Sequence, residues 1–261
     1  MKRLVFLALA GCRGVLGIDD LPARPEADAA PDAADAGPRF CDKVTPKPEF
    51  CADFDDDGPL EEAFDNAKVS PDPGVGGGGK IDPDLEQFSS APRSARLWSS
   101  AVLVARNATA YLAKMYDAPR ANIDVVVDAK IATLDIPVTN GGHVIVLYLD
   151  FGAPGAIAVY RDAVGPAVAV FEGASPPTVT NITAPFPVGT WKSIHAFYLA
   201  NATDGGANGE FHVLIDNTTG AIVPVPAALR AAKPSILVGP TITGPMGKFE
   251  MNVDNVRIDT R

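Results

Sequence analysis

Apolar and polar residues alternate along much of the chain after residue 40. In EFHVLID (210 to 216) every second residue is apolar, and NIDVVVDAKI (122 to 131) has the same period. A period of two places alternate side chains on opposite faces of a β-strand, so one face can enter a core while the other meets water. The pattern therefore predicts strands with one buried face.

Runs of β-branched and aromatic residues, divided by Gly, Pro, Asn and Asp, extend this prediction to eleven strands. One brief helix is predicted at residues 227 to 232. Many short strands with almost no helix are typical of an all-β, antiparallel two-sheet sandwich. The predicted strands are FCADFD (50 to 55), SARLWSSAV (94 to 102), TAYLAKMY (109 to 116), NIDVVVDAKI (122 to 131), HVIVLYLDF (143 to 151), AIAVYRD (156 to 162), VAVFEG (168 to 173), WKSIHAFYLA (191 to 200), EFHVLID (210 to 216), SILVGPTI (235 to 242) and KFEMNVDNVRID (248 to 259).

Composition and charge narrow the possible partners. The chain has 261 residues, of which 47% are hydrophobic, and this is enough for one sizeable core. Its formal net charge is -10, which gives no attractive field for the phosphates of a nucleic acid. No stretch is apolar enough and long enough to predict a transmembrane helix. We therefore predict no nucleic acid partner.

A glycine-rich segment, GVGGGGKI (74 to 81), has the spacing of a phosphate-binding P-loop. Such a loop needs Ser or Thr after its lysine, with a strand before it and a helix after it. Here Ile81 follows Lys80, and Pro83 comes two residues later. We predict no nucleotide binding and interpret the glycines as a flexible connection between early strands.

The N-terminus has the order of an export signal, with basic MKR (1 to 3), apolar LVFLALA (4 to 10) and small residues after it. LAGC (9 to 12) resembles the lipobox of bacterial lipoproteins, which implies cleavage before Cys12 and lipidation of its thiol. We predict a signal peptide at 1–11 and a disordered Asp/Ala/Pro-rich tether at 12–39. The protein is then expected in the bacterial cell envelope, lipid-anchored at the outer membrane or cell surface.

The two remaining cysteines, Cys41 and Cys51, lie close together in CDKVTPKPEFC. An even pair in an oxidising compartment usually forms a disulfide. We predict this bond, with two free thiols as the alternative.

Four segments in order resemble the concanavalin A-like lectin and glucanase superfamily, which includes laminin G-like domains and glycoside hydrolase family 16. They are FCADFDDDG, VGTWKSIHAFYL, GEFHVLIDN and NVDNVRID. The resemblance covers about residues 50 to 261 of the predicted domain at 40–261. It implies a jelly roll of two curved sheets, with the first and last strands adjacent and a concave face that often receives a glycan.

The catalytic motif of the family 16 hydrolases, Glu-x-Asp-x-Glu, is missing from the chain. The sequence also has no GxSxG and no HExxH, and its three histidines lie on separate predicted strands. We therefore predict that the protein is not an enzyme.

Acidic residues suggest a structural calcium ion. DFDDDG (53 to 58) has the D-x-D-x-D-G spacing that presents alternating carboxylates to calcium, through Asp53, Asp55 and Asp57. The resemblance to family 16 adds Asp254, which matches an aspartate of the last strand that contributes to a structural calcium there. A solvated acidic turn is the alternative.

Exposed aromatic residues beside polar groups are the expected site for a polysaccharide, because sugar rings have apolar faces and polar edges. In HVIVLYLDF we place Ile145, Leu147 and Leu149 on the core face. The outward candidates are then Tyr148, Asp150, Tyr160 and His212, with Trp98 and His195 as weaker additions.

Three functions remain open from the sequence. The first is a non-catalytic, lectin-like surface lipoprotein that binds a glycan or another extracellular polymer. The second is a structural or protein-binding lipoprotein without a sugar site. The third, a divergent glycoside hydrolase, would need two carboxylates about 5 to 9 Å apart in a cleft.

Overall fold

A computed structural model describes residues 39–70, 79–99, 107–135, 142–201, 209–243 and 248–260. Contacts divide the chain into two units, Met1–Gly37 and Pro38–Arg261. All the described residues belong to the second unit, so Cys12 and the predicted signal peptide lie outside them. Within the described ranges, no helix has the length and apolar character needed to cross a membrane.

Fifteen strands and two one-turn helices make up the described part of the chain. In chain order they are α1 (Phe40–Lys43), β1 (Phe50–Ala52), β2 (Asn66–Ser70), β3 (Gly79–Asp84), β4 (Ser94–Ser99), β5 (Asn107–Met115), β6 (Asn122–Leu134), β7 (His143–Asp150), β8 (Gly155–Asp162), β9 (Pro166–Glu172), β10 (Thr178–Asn181), β11 (Lys192–Leu199), β12 (Gly209–Ile215), β13 (Thr218–Val225), α2 (Ala227–Arg230), β14 (Ser235–Thr243) and β15 (Phe249–Thr260).

The strands form two antiparallel sheets. The eight-stranded sheet has the order β13-β12-β11-β6-β15-β4-β3, and β1 also pairs with β15. The seven-stranded sheet has the order β10-β9-β8-β7-β14-β5-β2. Phe50 pairs with Ile258, so the first and last strands are adjacent. The architecture is the two-sheet jelly-roll sandwich that the sequence predicts.

The core lies between the two sheets and is built from alternate residues of each strand. On β6, Ile123, Val125 and Val127 are at most 1% exposed, and on β12 Phe211 and Val213 are equally buried. Full burial of each such side chain contributes about 1.5–3 kcal/mol. The alternation predicted for these two strands is confirmed, and their polar residues point away from the core.

All eleven predicted strands are present, and the predicted helix is the shorter α2. The four strands that were not predicted, β2, β3, β10 and β13, are the edge strands of the two sheets. One of them corrects the interpretation of the glycine-rich segment. Gly79, Lys80 and Ile81 belong to β3, whereas residues 71–78 lie outside the described ranges. Pro83 fits in β3 because an edge strand leaves one side of its backbone unpaired.

The predicted orientation of β7 needs one further correction. Its pairing with β8 shifts register between Ile145 and Leu147, which is a β-bulge. The extra residue changes the alternation, so Val146 and Leu147 both pack in the main core while Ile145 joins a separate apolar cluster. Tyr148 and Asp150 still point outward, as predicted.

Candidate functional site on the outer face of the eight-stranded sheet

The side chains of β6, β11, β12 and β15 that point away from the core form one surface, here called the polar face. Strand register aligns four of them in a row: Asp259 pairs with Asp124, Asp124 with Phe197, and Phe197 with His212. Directly opposed side chains in an antiparallel pair have Cβ atoms about 4.5–5.5 Å apart. The row therefore places an aromatic ring between a pair of carboxylates and an imidazole.

A shallow depression of 220 Å³ lies at one end of this row. Phe197 and Leu199 supply apolar surface, while Asp124, Asp259 and Asn122 supply polar groups. The depression opens onto solvent because it lies on a sheet face and not between the sheets. Such a surface suits an extended ligand better than a small molecule that must be enclosed.

His195 is held in a fixed position beside the depression. Its Nε2 lies 2.6 Å from Asp124 Oδ1, and its ring centroid is 3.7 Å from that of Phe197. A carboxylate partner fixes which imidazole nitrogen carries the proton and how the ring is turned. His195 and Asp124 thus form a hydrogen-bonded pair that is available for proton transfer.

Arg257 lies between the two facing carboxylates. Its Nη2 is 3.7 Å from Asp124 Oδ1, and its Nε is 3.7 Å from Asp259 Oδ2. Both distances fit ion pairs but exceed a normal hydrogen bond. The guanidinium therefore offsets repulsion between Asp124 and Asp259 and leaves their oxygens able to accept hydrogen bonds from a ligand.

Two further pairs that each include a carboxylate lie beside this centre. His212 Nε2 is 2.8 Å from Glu210 Oε2 on β12. Arg120 Nη2 is 3.4 Å from Glu49 Oε1, and the Glu49 backbone N–H donates to Asp259 Oδ1 at 3.2 Å. These contacts join the row to the segment that precedes β1.

The six candidate ligand residues do not lie together. His195 and His212 are on the polar face beside Phe197. Trp98 is on the outer side of β4 in the same sheet, but it aligns with Glu250 at the opposite end of β6 from Asp124. The other three, Tyr148, Asp150 and Tyr160, belong to the outer face of the seven-stranded sheet.

On that second sheet, the tyrosines pack in a small apolar cluster. Tyr160 is 8% exposed and its ring lies 5.1 Å from that of His143. Tyr148 is half-buried against the same cluster. Burial raises the pKa of both phenols, with a smaller contribution from neighbouring aspartates. The cluster consists of Ile145, Ala158, Tyr160, Ala167 and Ala169, with Tyr148 and Phe171 packed against it.

Sequence reasoning missed four residues of the site: Asp124, Phe197, Arg257 and Asp259. Their signal is present in the period of two. Phe197 has the same parity as His195 in KSIHAFYL, Asp124 alternates with the core residues of β6, and Arg257 and Asp259 alternate with core residues in NVRID. What the sequence does not contain is the pairing of β6 with both β11 and β15, which brings these residues together.

The predicted calcium ligands form a second polar region, near the start of the domain. Both oxygens of Asp55 are buried without a hydrogen-bond partner. Burial raises the pKa of Asp55 to about 6, with a further contribution from Asp53. Burial also raises the pKa of Asp254 to about 7, although three backbone N–H groups donate to its carboxylate and oppose the shift.

These residues fit a calcium ion only in part. Asp55 offers two free buried oxygens, and its charge contributes to the raised pKa of Asp254. Asp53 instead accepts the backbone N–H of Cys41 at 3.0 Å, and Asp57 is exposed. No group of three or more His, Cys, Asp or Glu within the described ranges is arranged to hold a metal. Asp55 and Asp254 would therefore need backbone, hydroxyl or water oxygens to complete the six to eight ligands of calcium.

Cys41 and Cys51 form a disulfide between α1 and β1. It ties the segment that begins at Arg39 to β1, two residues before Asp53.

Comparison with known proteins identifies the fold and no family. Neither the family models nor the curated proteins give a match to the chain. Among solved structures, the chain is similar to cellulose induced protein Cip1, at 10% identity and a TM-score of 0.50, over 74% of this chain and 90% of that one. It is also similar to alginate lyase vAL-1 from Chlorella virus, at 10% identity and a TM-score of 0.49, over 72% and 92%. Alginate lyase A1-II' matches at 12% identity and a TM-score of 0.47, over 68% and 84%.

These likenesses correct the prediction that the protein is not an enzyme. That prediction rested on the missing Glu-x-Asp-x-Glu motif, which concerns one hydrolase family. Several of the similar structures are named as alginate lyases, which that hydrolase motif does not concern. The absence of one motif therefore does not exclude enzymatic activity. Whether the chain can catalyse a reaction depends on the residues of the polar face.

Proposed function

We propose that the protein binds a polysaccharide laid across the polar face. The observation that carries this proposal is the row Asp259, Asp124, Phe197 and His212, in which an aromatic ring is flanked by hydrogen-bonding groups on an exposed sheet. The apolar face of a sugar ring packs on Phe197, and its hydroxyl groups donate to the carboxylates beside it. A shallow open surface accommodates a chain longer than one sugar.

The test is retention on a panel of immobilised polysaccharides. The full chain in detergent is applied to each polymer, and bound protein is eluted and quantified. We expect retention on at least one polysaccharide and competition by soluble oligosaccharides of the same type. Equal passage of the protein through every polysaccharide and through an unmodified matrix would contradict the proposal.

A second candidate function is hydrolytic cleavage of the bound polymer, and it is favoured by the facing carboxylates. Register places Asp124 directly opposite Asp259, and retaining glycosidases use two neighbouring carboxyl groups, about 5–5.5 Å apart. In that chemistry one carboxylate attacks the anomeric carbon while the other group, as the carboxylic acid, protonates the departing oxygen. The second group, now a carboxylate, then takes a proton from water, which releases the sugar from the first. His195 would act as a positioning residue, through its hydrogen bond to Asp124.

Cleavage is tested by the release of reducing ends from whichever polysaccharide is retained. We expect Asp124→Asn and Asp259→Asn each to remove the activity. Asp82→Asn, which changes a carboxylate on β3 of the same sheet, should keep it. Equal release by all three variants would assign the activity to another part of the molecule or to a contaminant.

Two further features belong to the same proposal. We propose that a structural calcium ion binds at Asp55 and Asp254, where its charge stabilises two buried carboxylates. We also propose that lipid on Cys12 anchors the domain to the bacterial cell envelope. In that location the polar face meets extracellular polymers.

A further inference from the structure

We propose that the carboxylates around the depression exclude anionic polymers, so that the polysaccharide bound by the polar face is uncharged. This inference rests on the proposed function and names the class of its ligand. The acidic residues responsible are Asp124, Asp259, Glu210 and Glu49.

Ion pairs account for the positive charges around the depression. Arg257 contacts Asp124 and Asp259, and Arg120 contacts Glu49. The two histidines also have carboxylate partners, because His195 lies at hydrogen-bond distance from Asp124 and His212 from Glu210. Each of these four basic side chains thus already has a carboxylate partner.

The balance of charge at the depression is negative. Four carboxylates face two guanidinium groups, and the whole chain carries a formal charge of -10. A uronate or sulfated sugar would bring further negative charge beside Asp124 and Asp259, whose guanidinium neighbour Arg257 is already shared between them. Repulsion from one uncompensated carboxylate at contact distance weakens binding by about tenfold.

Hydroxyl groups suit the same surface. A carboxylate accepts hydrogen bonds from neighbouring hydroxyls, which are donors that carry no charge. The loose contacts of Arg257, at 3.7 Å, leave the facing oxygens of Asp124 and Asp259 able to accept them. Phe197 supplies the apolar contact that both neutral and anionic sugars could make, so the carboxylates and not the ring decide between them.

The experiment compares two sets of oligosaccharides at two ionic strengths. The uncharged set contains β-glucan, xylan and mannan fragments, and the anionic set contains alginate and polygalacturonate fragments. We expect an uncharged fragment to bind the full chain at least about tenfold more tightly than any anionic one. Uncharged binding should not depend on salt. Lowering the ionic strength from about 0.1 M to about 0.01 M lengthens the screening distance threefold, so anionic binding should weaken further.

The substitution Asp259→Asn tests the exclusion of anionic polymers more directly. It removes one negative charge from the depression and releases Arg257 from one of its partners. We expect the affinity for the anionic fragments to rise about tenfold. The affinity for uncharged fragments should fall, because their hydroxyls lose one charged acceptor. The matched control is Glu172→Gln, the same charge change at an exposed residue of the seven-stranded sheet, which should alter neither set.

The outcomes separate this inference from the proposed function. Tighter binding of an anionic fragment that strengthens at low salt would overturn the charge exclusion and leave polysaccharide binding in place. An Asp259→Asn protein with unchanged anionic affinity would also overturn it. Failure of both sets to bind would overturn the exclusion together with the proposed function.

Discussion

Phe197 contributes the main apolar surface of the polar face, and its neighbours on either strand are polar. We expect Phe197→Ala to weaken polysaccharide retention about tenfold, because the stacking surface for the sugar is lost. Phe197 lies outside the core, so the free energy of unfolding should change by about 1 kcal/mol or less. Affinity electrophoresis and thermal unfolding measure the two effects.

The control for this substitution is Ile222→Ala. Ile222 pairs with His212 on the same face and is 54% exposed, but it lies outside the depression. Retention should be unchanged in this variant. A loss of stability of several kcal/mol in Phe197→Ala, with retention intact, would identify the ring as a packing residue.

The effect of Asp55→Asn on the stability of the protein should differ with and without calcium. In chelator, its buried carboxylate has no hydrogen-bond partner, so Asp55→Asn should leave the protein as stable as before or more stable. With calcium at a hundredfold excess over the dissociation constant, the unaltered protein should gain about 2.7 kcal/mol. The variant should not gain this stability. Identical melting curves for the unaltered protein with calcium and with chelator would contradict the calcium proposal.

At the residue scale, the sequence predicts side-chain direction well and proximity poorly. His195 and His212 were correctly expected to point away from the core, because alternation is a local property. Tyr148 and Tyr160 also point away from the main core, but on the other sheet. Alternation does not indicate which sheet a strand joins. The sequence therefore cannot separate outward-pointing residues of the eight-stranded sheet from those of the seven-stranded sheet.

Among the elements, β4 and β15 are joined by a charged cross-strand pair. Arg96 Nε donates to Glu250 Oε1 at 2.7 Å, and this hydrogen bond lowers the pKa of Glu250, with a further contribution from Lys248. A carboxylate whose pKa is lower in the folded state stabilises the fold above its unfolded pKa, and this stability is lost as the pH falls through the folded value.

We therefore expect Glu250→Gln to destabilise the protein at pH 7 and to have little effect in strong acid, where the carboxylate is protonated in both states. Because Arg96 is 37% exposed, the loss at pH 7 should be about 0.5–1 kcal/mol. Urea unfolding at the two pH values measures the difference. An equal loss at both would show that Glu250 acts through packing and not through its charge.

Most of the strands that the sequence predicts lie inside the two sheets, with a paired strand on each side. The four that it does not predict, β2, β3, β10 and β13, each lie at a sheet edge. An edge strand tolerates Pro83 in β3 and Pro224 in β13, and it needs fewer apolar residues because it is more exposed. Its signal therefore resembles that of a loop, and only pairing with the neighbouring strand reveals it.

For the whole molecule, the proposed anchor at Cys12 determines where the polar face operates. The predicted tether, residues 12 to 39, would have an average reach of about 30 Å, so the domain would remain close to the membrane that holds the lipid. The net charge of -10 would keep the domain from adhering to an anionic membrane surface. The polar face would then stay accessible to polymers in the surrounding medium.

Replacement of Cys12 tests this arrangement directly. Cys12→Ser removes the thiol that accepts lipid, so the protein should leave the detergent phase and appear uncleaved or in the soluble fraction. Several acyl chains on one residue hold a protein at a membrane far more firmly than one, so the shift should be complete and not partial. Gly14→Ala, two residues beyond the cysteine, is the control and should partition like the unaltered protein. If the Cys12→Ser protein still partitions into detergent with lipid attached, the anchor lies elsewhere. If it is soluble and still binds polysaccharide, anchoring and binding are independent properties.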